Sequence, residues 1–133
     1  MIGEKVSDRR AARLRNDEAP HLQYGTLFHV HVAHRDDESV VLLLRGELDL
    51  NSMDAFERVV AEVLSGAPRK LIFDLTQSEF ISAQGFAAIG GCSRRVPVEV
   101  RSRTRLASRV LTVLGYEGVE VFLARDPLLH VGI

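Results

Sequence analysis

Two nearly unbroken apolar runs, "SVVLLLRGEL" at Ser39–Leu48 and "KLIFDL" at Lys70–Leu75, are separated by one amphipathic helical pattern. Such runs fit strands covered on both faces, since a half-exposed strand alternates apolar and polar residues. Between them Met53, Phe56, Val60, Val63 and Leu64 recur at helical spacing, with Asn51 or Ser52 placed as an N-cap and "SGAP" as the stop. Strand, helix and strand in this order favour a parallel pair joined by a crossover, because a tight turn cannot join parallel neighbours.

The remaining elements extend this unit. From Thr26, "TLFHVHVAH" reads as a first strand, and "RDDES" as the turn of an antiparallel hairpin with the run that follows. After "KLIFDL", "TQSEFIS" reads as a connection and "AQGFAAIGGCSRR" as a small-residue helix, with Gly90 and Gly91 either permitting close packing or ending it. "VPVEVRS" and "VEVFLA" read as strands. Between them Leu106, Val110, Val113 and Leu114 mark one helical face, stopped by Gly115. The expected fold is α/β, a mixed β-sheet of about five strands with flanking α-helices. Residues 1–24 mix both charge signs with few large apolar residues and are expected to form a flexible tail before a single domain at 25–133.

Composition removes several function classes. The net charge is −1, so no polyanionic partner is implied. The local concentration Arg94, Arg95, Arg101, Arg103, Arg105 and Arg109 lacks interleaved aromatics and reads as a solvated edge, so no direct nucleic-acid contact is expected. No apolar run approaches the roughly 20 residues of a membrane span, and the charged N-terminus lacks a secretory pattern, so a cytoplasmic protein without membrane insertion is expected. The single cysteine, Cys92, excludes an internal disulfide and suits core packing.

Catalytic and metal signatures are also missing. His29 and His31 share a strand face with His34 beyond, but two ligands do not complete a tetrahedral site; a solvent-facing or hairpin-facing pair is expected, and no metal. "SGAPRK" lacks the spacing of a phosphate-binding loop, no serine has a nucleophile-elbow setting, and no base accompanies Cys92. The residues therefore imply no catalytic group, no cofactor and no enzyme.

The order "GELDL" at 46–50, amphipathic helix, "KLIFDLTQSEFISAQGFAAI" at 70–89, strand, "RSRTRLASRVLTVLGY" and final strand resembles the STAS domain, and more narrowly the bacterial anti-sigma factor antagonists. The resemblance spans roughly residues 26 to 125, with the boundary error usual for element limits read from sequence. It implies a STAS-like sheet with helices on one side. It also implies a partner, an anti-sigma factor that is a serine kinase, bound around the N-terminus of the second helix so that a sigma factor is released. An accessory STAS subunit of a stress-signalling assembly or a membrane transport ATPase is the alternative within the fold, and a small enzyme the alternative outside it.

The resemblance also assigns residues. The family's acidic residue after "GEL" matches Asp49, and its usual "F-[IVM]-D-S-[ST]-G" falls on Phe80, Ile81, Ser82, Ala83, Gln84 and Gly85. The phosphoacceptor position is thus Ala83, which has no hydroxyl, so phosphorylation there is chemically excluded. The expected partner-binding set is Asp49, Ser82, Ala83, Gln84, Gly85 and Phe86, with Phe86 equally suited to the core. Ser82 reads either as an acceptor displaced by one residue or as an N-cap whose hydroxyl accepts from the first turn. Asp49 reads either as an acidic rim facing a partner or as a strand-to-helix terminator.

Overall fold

The computed structural model describes residues 4–7 and 28–129. Its strands are β1 (Glu4–Ser7), β2 (His29–Arg35), β3 (Ser39–Leu48), β4 (Lys70–Ile81), β5 (Val98–Ser102) and β6 (Glu120–Leu123). Its helices are α1 (Met53–Ser65), α2 (Ala83–Gly91), followed by a 3-10 turn at Cys92–Arg94, and α3 (Leu106–Val113). The strands form one sheet in sequence order. β1–β2 and β2–β3 are antiparallel, while β3–β4, β4–β5 and β5–β6 are parallel.

This is the expected mixed α/β sheet, with the hairpin and the three crossovers where the patterns put them. β2–β6 are the expected five strands. β1 is a further one, from within the segment read as a tail: its backbone pairs with the outer edge of β2, Glu4 opposite Arg35 and Ser7 opposite Val32. An open strand edge offers unpaired N–H and C=O groups to any nearby extended segment, so a strand can form there without an apolar run. Residues 8–24 of that segment, Thr26 and Leu27, the boundary at residue 25 and residues 130–133 lie outside the described residues.

All three helices pack on one face of the sheet. Phe56 of α1 meets Phe28 edge-on, with ring centroids 6.2 Å apart, and Phe73 of β4 at 6.0 Å. Val30, Leu42, Leu44, Leu71, Phe73 and Val100 from alternate strand positions join Phe86 and Ile89 of α2 and Ala107 and Leu111 of α3 in the same apolar core. The opposite face carries a smaller cluster of Ala33, Val41, Leu43 and Ile72, covered by Leu128 and Leu129. The central strands are thus buried on both sides, as their continuous apolar runs require.

Three local expectations are corrected. "TQSEFI" is not a connection: β4 continues to Ile81, with register shifts against β3 between Leu43 and Arg45 and between Gly46 and Glu47. Each shift adds one β4 residue to the ladder, so its polar side chains do not keep a strict alternation. In α3 the core face is Ala107 and Leu111, whereas Leu106, Val113 and Leu114 are exposed. Large apolar residues outlined the wrong stripe because the contact to the sheet uses an alanine. Finally, Ser52 is the N-cap residue of α1, but its side chain makes no capping bond; its hydroxyl turns back to accept from Asp49 N–H and donate to Glu47 C=O.

The glycine stops behave as expected. Gly115 lies at φ +90°, with its N–H bonded to Thr112 C=O at 3.0 Å and the Tyr116 N–H to Leu111 C=O at 2.8 Å, a paired left-handed termination that satisfies the last carbonyls of α3. Gly90 resolves the other choice toward close packing, since a Cβ there would come within 2.5 Å of Cγ in the Tyr116 ring. α2 also ends at the next residue.

Candidate functional site

The ends of β3 and β4 place two turns side by side. Leu48 and Ile81 are register partners at the last rung of the parallel pair, and Ser82 N–H donates to Leu48 C=O at 2.9 Å. From that rung one chain turns through residues 49–52 into α1 and the other passes directly into α2. The six residues singled out by resemblance therefore converge on one end of the sheet, outside the carboxyl ends of its parallel strands.

Ser82 is the N-cap of α2. Its backbone is extended, at φ −72° and ψ 165°, and its hydroxyl accepts from Gly85 N–H at 3.0 Å. This occupies one of the donors that a helix start leaves without an intrahelical partner. Ala83 and Gln84, the first two helical residues, are exposed, while Ser82 is half-buried. The first turn carries no acidic side chain, so the positive end of the helix is not neutralised from within it.

Gly85 and Phe86 lie beneath this surface. A Cβ on Gly85 would come within 2.8 Å of Leu48 Cδ2 and 3.0 Å of Ile81 Cγ2, so glycine lets the helix start sit directly on the last rung of the sheet. Phe86 is a core residue at 4% exposure. These two hold the exposed Ala83 and Gln84 in place from below.

Asp49 organises the neighbouring turn. Its carboxylate accepts from Asn51 N–H at 3.0 Å, its own N–H donates to Ser52 Oγ at 2.9 Å, and its carbonyl accepts from Ser52 N–H at 3.1 Å. Asp49 as a residue is half-buried. Asp49 is thus a strand-to-helix terminator in this fold, with part of its side chain still facing solvent.

Two exposed apolar side chains at this end were not in the expected partner-binding set. Leu50 is 77% exposed at the tip of the β3–α1 turn, and Phe80 is 52% exposed one rung before the end of β4. Leu50 was legible as an apolar residue inside "DLNS", between a strand and a helix and outside both periodicities. Phe80 was hidden by the reading of its segment as a connection.

Other candidates resolve as structural. His29 and His31 stack with ring centroids 6.1 Å apart, and His31 is buried, which corrects the solvent-facing alternative. Among the described residues no three His, Cys, Asp or Glu side chains come together as a metal site. Cys92 is buried, its thiol donates to Ala88 C=O at 3.4 Å, and burial pushes it up to about 11, so it stays protonated and unreactive near neutrality. Arg94 lies over the Tyr116 ring at 5.5 Å. No helix among the described residues is long and apolar enough to cross a membrane.

Comparison with known proteins agrees with this architecture. The family model described as the STAS domain matches residues 30–103, more than half of the chain. Anti-sigma-F factor antagonist RsfB of Mycobacterium tuberculosis, in two strains, is 27% identical over 81 residues, covering 58% of this chain and 66% of the relative. The chain thus matches just under two thirds of those relatives' length. Among solved structures, an anti-sigma factor antagonist from Mycobacterium paratuberculosis superposes with a TM-score of 0.63 at 20% identity, covering 72% of this chain and 86% of that one. The unphosphorylated anti-sigma factor antagonist SpoIIAA gives 0.58 at 16% identity, covering 69% and 86%. At these identities the structural likeness speaks for the fold.

Proposed function

The chain belongs to the STAS domain family, and on that footing we propose that it is an anti-sigma factor antagonist. It works by binding and not by turnover: the exposed start of α2 and the adjoining Asp49 turn occupy an anti-sigma factor of the serine-kinase type, and a sigma factor is released. The names of its relatives support the partner class.

The observation that carries the reading is Ala83. It is the first residue of α2, exposed, beside a helix start whose first N–H groups have no intrahelical partner. By resemblance this is where the family carries its phosphoacceptor serine. A phosphoryl group there would add about −1.5 to −2 charge and oppose an acidic partner surface or Asp49. An alanine admits no such group, so binding in this protein is not switched off by modification at position 83.

Affinity capture from the native bacterium tests the reading. Recovery of an anti-sigma factor, with loss of that partner on Ala83→Arg, is the expected result. Recovery of a transport ATPase or a stress-signalling scaffold with no anti-sigma factor would overturn it in favour of an accessory subunit.

A further inference from the structure

Beside the start of α2 the surface falls into an open groove of about 640 Å³, between the projecting end of β4 and the entry to α3. β5 pairs with β4 only as far as Asp74, so among the described residues the β4 positions beyond it have no strand on that side. Phe80, Ile81, Phe86 and Leu106 are among its apolar lining, and Phe80 and Leu106 are 52% and 58% exposed. Large apolar side chains held open to solvent in one contiguous concavity mark interaction sites more often than accidents of folding.

The polar rim has a sign. Arg103 and Arg125 both line the groove, both are exposed, and neither has a hydrogen-bond or ion-pair partner among the described residues. The one acidic side chain in the lining, Glu79, is already engaged. An apolar floor between two uncommitted guanidinium groups matches an amphipathic segment whose apolar face enters the concavity while its acidic face meets the arginines. The groove adjoins the binding surface already described: Ile81 precedes the cap Ser82, and Phe86 belongs to the same helix as Ala83.

The geometry points to this groove as a second contact for the same partner, seating an acidic amphipathic segment of the anti-sigma factor. This rests on the function proposed above. Within it, the groove contributes affinity and choice of partner, because its charges steer encounter and its aromatic and aliphatic floor excludes water. The contact involves neither Ser82 nor Ala83, so it supplies discrimination that no modification of the helix start would alter.

The test uses the full chain and the anti-sigma factor recovered by capture, titrated calorimetrically at low and moderate salt. Arg103→Glu/Arg125→Glu is expected to weaken binding about tenfold or more at low salt and to flatten its salt dependence, with the melting temperature unchanged because both side chains are exposed and unpaired. A photo-crosslinking residue at Leu106 is expected to join an acidic amphipathic segment of the partner. Unchanged affinity in the double variant, while Ala83→Arg abolishes binding, would overturn the groove and leave the function standing; so would a crosslink from Leu106 to a second copy of this chain. Capture of no anti-sigma factor by the wild type overturns both.

Discussion

Ser82 Oγ lies 3.0 Å from the backbone nitrogen of Gly85, so the serine hydroxyl at the edge of the candidate surface is held by the helix it begins. The residue beside it, Ala83, is exposed and has no hydroxyl at all. The site therefore combines one hydroxyl committed to capping with one position that cannot be modified.

Removing the cap should register in stability. Ser82→Ala is expected to cost about 0.5–2 kcal/mol, whereas Ser82→Asp, which also caps, should stay near the wild type. Urea unfolding of both variants checks this; equal midpoints for Ser82→Ala and wild type would mean that the hydroxyl contributes nothing to α2.

Phosphorylation should follow the hydroxyl. With the partner proposed above, an anti-sigma factor of the serine-kinase type, and ATP, wild type is expected to gain no phosphate at the start of α2, and Ala83→Ser to gain one at position 83. Fragment mass spectra decide it, and stoichiometric phosphate on Ser82 of the wild type would contradict the capping role.

A methyl group at Gly90 should collide with Tyr116, whose ring occupies the space a Cβ would need. Gly90→Ala is expected to destabilise by about 1–3 kcal/mol, as overpacking does. Combining it with Tyr116→Leu should recover part of that loss, read from thermal melts of the two singles and the double. Strictly additive effects would place the strain elsewhere.

Asp37 offers a titration. The Ser39 hydroxyl and N–H, with Arg69 nearby, hold its carboxyl at about 2 against an ordinary 3.8. Because the folded-state value is the lower one, its contribution to stability is present above 3.8 and fades as pH falls from there towards 2. Nuclear magnetic resonance titration should show that midpoint, and Ser39→Ala, which removes the hydroxyl and keeps the N–H, should raise it towards 3.8; an unmoved midpoint would assign the shift to the residue 39 N–H and Arg69 instead.

Much of this was written in periodicity. The runs of β3 and β4 and the spacing of α1 are long, strongly apolar patterns with one consistent structural solution, and Ser82 before a helical run is a cap by residue type alone. The misreadings have physical causes too. "TQSEFI" has the composition of a loop, yet its backbone stays in the ladder because two extra residues let polar side chains bypass the alternation. β1 is held by backbone pairing, which side-chain patterns do not report. The exposed Phe80 could not be weighed as surface while its segment was read as irregular.

Asp74 shows a dependence of another kind. It is fully buried in the central strand, one oxygen bonded to Thr76 N–H and Oγ1, the other accepting from Leu128 N–H at 2.6 Å, from 54 residues further along the chain. During synthesis, which proceeds from the N-terminus, β3, β4 and α1 all leave the ribosome before that N–H does. Until Leu128 emerges, the carboxylate lacks one of its donors and must remain hydrated, so the back of the sheet stays open. That face can be sealed only after Leu128 has emerged, long after the strand it covers was made.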